Sequence, residues 1–255
     1  MLSKKKSISE LLQSWQYDEE LKQNIIHWHT LDGKRAEYAP FPDELHPSLQ
    51  KALRLRGIEQ LYTHQREAFD KATSGTSFTA ITPTASGKSL CYHLPVLQEI
   101  INDKSSRAIY LFPTKALAQD QKTDLNELIE ATGEEVLSYT YDGDTAPGIR
   151  TKIRKAGHIV MTNPDMLHSG ILPHHTKWVS LFENLKYIVI DELHTYKGVF
   201  GSHVAHVIRR LKRICAFYGA NPIFICTSAT IKNPQELAES LTNEKINLTN
   251  KYIYE

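Results

Sequence analysis

From residue 78 onward, short apolar runs rich in β-branched and aromatic residues alternate with amphipathic stretches. The apolar runs are predicted strands: Phe78–Thr82, Ala108–Phe112, Val136–Tyr139, Ile159–Thr162, Tyr187–Asp191, Ile223–Thr227 and Ile246–Leu248. The amphipathic stretches are predicted helices: Lys88–Ile101, Lys115–Glu130, Ile149–Lys155, His203–Tyr218 and Pro234–Leu241. Apolar strands separated by helices predict an α/β fold, a doubly wound and mainly parallel sheet with helices on both faces. Because ligands of such sheets bind at the carboxyl ends of the strands, functional residues should directly follow them.

The first part of the chain, up to about Thr76, shows helical patterns without strands between them. The predicted helices are Ile8–Trp15, Glu19–Trp28, Pro47–Arg56 and His64–Thr73. The segment Tyr38–Asp43 contains two prolines and predicts an extended connection, since proline and the residue before it disfavour helix. We expect residues 1–45 to form an accessory arm, helical and extended, packed on a domain that spans residues 46–255.

The composition is that of a soluble globular protein, with 41% hydrophobic and 23% charged residues over 255 positions. The net charge of +1 lacks the basic excess of a dedicated nucleic-acid binder, so any such site must be a local patch. Cys91, Cys215 and Cys226 form no CxxC pair, which argues against a disulfide framework or a zinc site. No apolar segment long enough for a signal peptide or membrane span follows the basic run Lys4–Lys6. We expect a soluble, cytoplasmic protein.

The segment Thr82–Ser89, with sequence TPTASGKS, directly follows the first predicted strand of the sheet. A phosphate-binding loop needs a tight turn with inward N–H groups, a lysine for the phosphates and a hydroxyl for Mg²⁺. Thr82 stands where the common pattern has its first glycine. The segment predicts an ATP site made of Thr82, Pro83, Thr84, Ala85, Ser86, Gly87, Lys88 and Ser89, with Ser89 as a Mg²⁺ ligand. A simple helix start capped by Ser86 is the alternative.

Two adjacent carboxylates, Asp191 and Glu192, end another apolar strand. Such a pair is costly because the two charges repel, unless the pair has a function. Asp191 would hold Mg²⁺ through its water shell, and Glu192 would orient and deprotonate the attacking water. With Lys88 they are the candidate catalytic residues, whereas the alternative is a strand that ends in solvent-facing acids. A third strand ends in Thr227–Thr230, which alone predicts only a cap for the next helix.

Together and in this order, the three segments resemble motifs I, II and III of superfamily 2 helicases, with Asp191–His194 (DELH) as a DExH box. Gln65 carries an amide whose donor and acceptor match the edge of adenine, as in the Q motif. Further segments that resemble the family motifs are Leu61–Gln65 (Q motif), Pro113–Gln121 (motif Ia), and Asp142–Thr145 and Thr162–Leu167, which face nucleic acid. The similarity covers residues from about 45 to 245. It implies a RecA-like domain, the first half of an ATP-driven motor that is a DExH-box helicase.

The resemblance also implies roles for residues outside the ATP site. Coupling of the nucleotide to the strand is expected from His194, Ser228 and Thr230. The residues expected to face nucleic acid are Pro113, Thr114, Lys115, Gly143, Asp144 and Thr162. Among them, Thr114, Lys115, Thr162 and the loop around Gly143 are expected to contact phosphates. The expected partner is single-stranded DNA or a tailed duplex, bound in a salt-sensitive and sequence-tolerant way.

The segment His194–Ser202, the basic helix after it and Tyr38–Pro42 are similar to the YprA-type helicases, the group that includes mitomycin repair factor A. This similarity implies 3′ to 5′ translocation on DNA, a role in repair and a cysteine-rich zinc domain. Motifs IV to VI, with the arginine fingers of a second RecA-like domain, are not among the 255 residues. We therefore expect little activity in the absence of that domain. We also expect a monomer. The basic residues of this helix are Arg209, Arg210, Lys212 and Arg213. They could contact nucleic acid, and a helix face that is simply exposed to solvent accounts for them equally well.

Three other functions stay open. A P-loop nucleotide kinase or transporter ATPase would share the loop but neither the Q motif nor the spacing from DELH to Ser228. An RNA-directed DExH-box ATPase would share every motif. A nucleotide-dependent module that clamps nucleic acid without turnover would need no second domain. ATPase rates with and without DNA would distinguish these possibilities.

Overall fold

A computed structural model describes residues 7–28, 36–82 and 86–249 of the chain. By its internal contacts the chain divides into two units, Met1–Ala36 and Glu37–Glu255. The division falls ahead of residue 45, the expected end of the arm, because the extended segment after residue 36 pairs with the larger unit. There, β1 (Tyr38–Ala39) runs antiparallel to β2 (Leu61–Tyr62).

The smaller unit contains two described helices. α1 (Ile8–Tyr17) begins at a capping box in which Ser7 and Glu10 each accept a hydrogen bond from the other's backbone N–H. α2 (Glu19–Lys22) is shorter than the predicted Glu19–Trp28. The prediction was too long because an asparagine and two β-branched isoleucines follow the helix, and these residues are weak helix formers.

The larger unit is built on a seven-stranded sheet with the order β5-β6-β4-β7-β8-β3-β9, in which every neighbouring pair is parallel. The strands are β3 (Phe78–Ile81), β4 (Arg107–Leu111), β5 (Ser138–Thr140), β6 (Ile159–Thr162), β7 (Leu185–Ile190), β8 (Ile223–Ser228) and β9 (Asn247–Thr249). All seven lie where the apolar runs predict them, with ends that differ by one or two residues. The predicted parallel sheet is confirmed.

The sheet is covered on both faces because successive side chains of a strand point in opposite directions. In β4, Ala108 and Tyr110 belong to one buried cluster, whereas Ile109 and Leu111 belong to the other. The nine α-helices that the structure describes in this unit are α3 (Pro47–Leu55), α4 (Thr63–Thr73), α5 (Leu90–Asn102), α6 (Lys115–Thr132), α7 (Pro147–Ala156), α8 (Pro164–Met166), α9 (Val179–Glu183), α10 (Gly198–Phe217) and α11 (Pro234–Thr242). Helices α3 to α6 contribute to the first cluster, and α9 to α11 contribute to the second.

α10 begins at Gly198, ahead of the predicted start at His203. The two glycines in its first turn disfavour helix by propensity, but Gly201 is required there by packing. A Cβ at Gly201 would lie 2.4 Å from the carbonyl oxygen of Tyr196, so only glycine lets the helix start against that segment. None of the helices in the described ranges is both long and apolar enough to cross a membrane.

Strands β7, β8 and β3 are consecutive neighbours in the sheet, although β3 comes first along the chain. Because parallel strands end at one edge, the three segments that follow them meet there. The topology thus brings Thr82–Ser89, Asp191–His194 and the end of β8 together.

Candidate ATP and nucleic-acid site

The loop Thr82–Ser89 connects the end of β3 to the start of α5. Gly87 has a backbone φ of +70°, in the left-handed region that favours glycine. The Ser86 hydroxyl donates to the Thr82 hydroxyl at 2.5 Å. The remaining residues of the predicted loop, Pro83, Thr84 and Ala85, lie outside the described residues.

Two side chains at the start of α4 hold this loop. Gln65 is 2% exposed, and its Nε2 donates to the Gly87 carbonyl at 2.9 Å while its Oε1 accepts from the Tyr62 N–H at 3.0 Å. The ring of His64 lies 3.1 Å from the Ser86 carbonyl, and burial lowers the pKa of His64. These two hydrogen bonds leave one N–H and one oxygen lone pair of the Gln65 amide for the expected contact with adenine. The sequence did not indicate that His64 and Gln65 also anchor the loop.

A pocket of about 550 Å³ lies beside Gln65 and Gly87, with Tyr38 and Tyr62 in its wall. The two tyrosine rings stack with their centroids 5.1 Å apart. Aromatic faces bind flat rings by offset stacking. The pocket therefore has the shape and chemistry to hold a nucleobase next to the phosphate loop.

The contact between Gln65 and Gly87 predicts the effect of adding one methyl group to the loop. A Cβ at Gly87 would lie 2.6 Å from the Gln65 Nε2, in addition to the backbone strain at positive φ. Gly133 has a similar φ of +72° with nothing within 4 Å, so Gly133→Ala is a matched control for strain alone. Gly133→Ala should lower the free energy of unfolding by about 1–2 kcal/mol. Gly87→Ala should lower it further and weaken nucleotide binding.

Urea unfolding and nucleotide titration of both variants would measure these effects. Equal losses of stability, with unchanged nucleotide affinity in Gly87→Ala, would contradict the role assigned to the Gln65 contact.

The acidic pair follows β7. Asp191 is 6% exposed, and its Oδ1 accepts hydrogen bonds from the Thr227 hydroxyl and from the Glu192 N–H. Burial raises the pKa of Asp191 above its usual value, while the bond from Thr227 opposes the shift. Thr227 was missed as a site residue, although the register pairs Ile190 with Cys226 and so places the next residues of β7 and β8 side by side.

Glu192 has a φ of +52°, one of two non-glycine residues with positive φ in the described ranges. The left-handed conformation is strained for a glutamate, and such strain persists where the surrounding structure imposes it. The left-handed backbone at Glu192 turns the chain directly after Asp191. The Glu192 carboxylate lies 3.9 Å from the Lys88 Nζ and 3.1 Å from the His194 Nδ1.

These contacts join the three motifs. Lys88, with a side chain 13% exposed, carries the positive charge closest to Glu192. His194 Nδ1 lies 3.1 Å from the Glu192 carboxylate, 3.4 Å from the Ala229 N–H and 3.5 Å from the Ser228 hydroxyl. The shorter contact to a carboxylate favours the tautomer with the proton on Nδ1, in which that nitrogen donates to Glu192. His194 is thus between the acid and the end of β8, and Thr230 lies exposed two residues beyond Ser228.

The residues present fit a magnesium ion. Asp191 Oδ2 accepts no hydrogen bond from any described residue, so that oxygen is available to a hard cation or its water shell. The Ser89 hydroxyl lies 3.5 Å from Asp124 Oδ2 on α6, a long contact that leaves its lone pairs available.

Asp124 belongs to a polar group behind α5 that the sequence did not reveal. Arg56 donates to both the carboxylate and the carbonyl of Asp124, at 3.1 and 2.9 Å. The ring of His93 is fully buried with its Nε2 3.9 Å from the same carboxylate, and burial lowers the pKa of His93 to about 3. This group connects α3, α5 and α6 beneath Ser89. Nothing in the local pattern around Asp124 distinguishes it from a solvated helix residue.

The segments expected to face nucleic acid meet at the same edge of the sheet. Lys115, the first residue of α6, forms an ion pair of 2.6 Å with Asp144, and its Nζ lies within 4 Å of where a Cβ at Gly143 would be. Arg150 donates to the carbonyls of Asp142 and Gly143 and so shapes the loop. Lys115 is half exposed but already paired, so a phosphate would have to compete with Asp144.

The three other residues expected at this surface differ in exposure. Thr114 is exposed, and its hydroxyl caps α6 by accepting from the Leu117 N–H. Pro113 is half-buried directly after β4. Thr162 is 3% exposed, and its hydroxyl donates to the Tyr141 carbonyl at 2.7 Å. Its side chain therefore stabilises the start of the loop Asp142–Thr145 rather than facing solvent.

Comparisons with known proteins agree with this geometry. Residues 62–237 match the family model for DEAD/DEAH box helicases. Over 96% of its length the chain is 62% identical to a protein of Bacillus subtilis (strain 168) named Uncharacterized ATP-dependent helicase YprA, and it covers 32% of that protein. It is 38% identical to the ATP-dependent helicase hrq1 of Schizosaccharomyces pombe, with 95% of this chain and 23% of that protein covered.

Among solved structures, the chain superimposes on the DUF1998 helicase MrfA bound to DNA and AMPPNP with a TM-score of 0.91 and 61% identity. The match covers 96% of this chain and 34% of that one. The chain thus spans about a third of the length of these helicases. The predicted RecA-like fold and the predicted helicase family are confirmed, and the chain belongs to the DEAD/DEAH box helicase family.

Proposed function

We propose that residues 37–255 are the ATP-binding half of an ATP-dependent DNA helicase, in which ATP hydrolysis drives translocation on single-stranded DNA. One observation carries the proposal: Glu192 contacts both Lys88 of the phosphate loop and His194, which reaches the end of β8. A strand that simply ended in solvent-facing acids would not explain a strained glutamate between a half-buried lysine and a histidine. A simple helix start capped by Ser86 would not explain the hydrogen bond from the Gln65 amide to the Gly87 carbonyl.

The ATP site is assembled from residues on both sides of this carboxylate. The loop Thr82–Ser89 would hold the phosphates, with Lys88 as a charge-assisted donor. Ser89 and Asp191 would hold Mg²⁺, which when bound neutralises charge on the phosphates. The pocket of Tyr38, Tyr62 and Gln65 would hold the base.

Glu192 is the proposed general base. A carboxylate at this place can accept the proton of a water that attacks the terminal phosphate, and Lys88 limits the build-up of negative charge around it. His194 would sense the state of Glu192, because its Nδ1 contact to the carboxylate competes with its contacts to Ser228 and Ala229. Ser228 and Thr230 would pass that difference to the rest of the motor.

DNA is the proposed partner, since the solved relative with 61% identity is described as bound to DNA. Thr114, Lys115 and the loop around Gly143 would contact phosphates, which positions a strand without reading its sequence. The similarity to the YprA-type helicases supports 3′ to 5′ movement and a role in DNA repair. A cytoplasmic location and a monomeric state are also proposed. A second RecA-like domain would supply arginines across the cleft.

An RNA-directed ATPase is the alternative that shares every motif, so the test compares the two nucleic acids. ATP turnover by the native polypeptide should rise with single-stranded DNA, rise less with RNA of the same sequence, and fall as salt increases. A rate stimulated more by RNA would favour the RNA-directed alternative. A rate that neither nucleic acid changes would contradict the proposed motor.

A further inference from the structure

The basic side chains of α10 line a groove outside the ATP site, and the strand-end segment Thr162–Leu167 contributes to one wall of it. The groove has a volume of about 830 Å³ and runs between α10 and the segment that follows β6. We call it the α10 groove, and its principal residues are Pro164, Asp165, Phe200, His203, Arg210 and Arg213.

Its charge is strongly positive although the whole chain has a net charge of only +1. Arg210 and Arg213 form no ion pair with any described carboxylate, and Asp165 is the one acidic residue in the wall. By contrast, Lys212 is held by Glu244 and by two backbone carbonyls, so it is committed to the fold. Unpaired arginines that converge on one groove are suited to bind a polyanion.

The groove continues from the edge where nucleic acid is expected. Pro164 and Asp165 come one residue after Thr162, which ends β6 at the carboxyl edge, and Asn163 lies between. α10 starts near the same edge and runs back along the sheet, because β8, the next strand, is parallel to β7. From His203 to Arg213 the helix covers about 15 Å at ~1.5 Å per residue. That is long enough for several phosphates of a strand that leaves the edge.

An exposed aromatic ring near the start of α10 indicates that the α10 groove binds single-stranded nucleic acid rather than a duplex or an acidic peptide. Phe200 is 42% exposed, and one face of its ring stacks on Tyr196 with centroids 5.7 Å apart. Basic grooves that carry aromatic rings bind single strands, because an unpaired base stacks on the ring while its phosphates meet the arginines.

We propose that the α10 groove is a second binding site for single-stranded nucleic acid, in which Arg210 and Arg213 contact phosphates and Phe200 stacks on a base. The site extends the path of the strand beyond Lys115 and Gly143. The inference rests on the proposed function, since it requires a strand at the carboxyl edge of the sheet.

The test uses the native polypeptide with the double variant Arg210→Gln/Arg213→Gln. Affinity for a long fluorescent oligothymidylate, measured by anisotropy, should fall roughly tenfold at low salt. The slope of log affinity against log salt should decrease in magnitude by about 1.4, since each lost single-strand phosphate contact contributes ~0.7. The control Lys51→Gln/Lys122→Gln removes the same charge on α3 and α6 and should change neither quantity by this amount. ATP affinity should stay unchanged in both variants.

A photo-crosslinking residue at the exposed position His203 gives a second readout that needs no arginine variant. It should crosslink to the bound oligonucleotide, and the same residue at Lys51 should not. Wild-type affinity and salt slope in the double variant, or no DNA crosslink at position 203, would overturn the α10 groove as a nucleic-acid site. If the unmodified protein binds no single strand at all, the proposed function itself fails, which is a distinguishable result.

Discussion

Glu192→Gln is expected to abolish ATP turnover while nucleotide binding is retained. Glutamine has nearly the same shape and leaves Asp191 and Lys88 in place, but its amide cannot accept the proton of the attacking water. A general base contributes about 10²–10⁴-fold to a rate, so phosphate release by the native polypeptide with single-stranded DNA should fall by at least that range. The 3.1 Å contact to His194 would also lose its charge-assisted character.

The matched control is Glu183→Gln, the same chemical change at an exposed position of α9. It should leave phosphate release unchanged. If Glu192→Gln hydrolyses ATP at the normal rate and binds nucleotide normally, Glu192 is not the base and the site has another proton acceptor.

Residues 1–255 tested alone should hydrolyse ATP about 10³–10⁵-fold more slowly than the native polypeptide. Phosphoryl transfer spreads negative charge over the terminal phosphate, and an arginine supplied across the cleft contributes this factor in related enzymes. In the described residues, Lys88 is the lysine paired with Glu192, and Arg56 is held in an ion pair with Asp124. Strand separation also needs two domains that open and close around ATP.

Phosphate release and fluorescence unwinding of a duplex with a 3′ tail would be measured for both proteins. The 255-residue chain should fold, bind nucleotide weakly and separate no strands. Robust unwinding by this chain alone would show that the motor is complete without a second domain.

The strands and the order of the motifs could be predicted from the sequence because both depend on local patterns. Apolar runs such as Ile159–Thr162 are fully buried in a parallel sheet, so their hydrophobicity marks them directly. Residues in the segments after such strands, such as Lys88 and Asp191, were predicted as site residues because doubly wound sheets bind ligands there.

Contacts between distant segments left no local signal. Gln65 was assigned to adenine from its motif, yet its amide also grips the loop at Gly87 across a fold that only the structure shows. Asp124 lies in the middle of an amphipathic helix, and only the packing of α3 and α5 against α6 makes it a partner of Arg56 and Ser89. The start of α10 was missed because propensity disfavours glycine there, whereas tertiary packing requires it.

The central claim is that the carboxyl edge of this sheet binds ATP through Lys88. Calorimetric titration of the chain with Mg-ADP tests it most directly, in the wild type, in Lys88→Ala and in the control Lys186→Ala, an exposed lysine at the start of β7. The wild type and the control should bind one nucleotide with the same Kd. Loss of a charge-assisted contact of about 1.5–3 kcal/mol should raise the Kd of Lys88→Ala roughly 10- to 150-fold. An unchanged Kd in a folded Lys88→Ala variant would contradict the assignment of the phosphate loop.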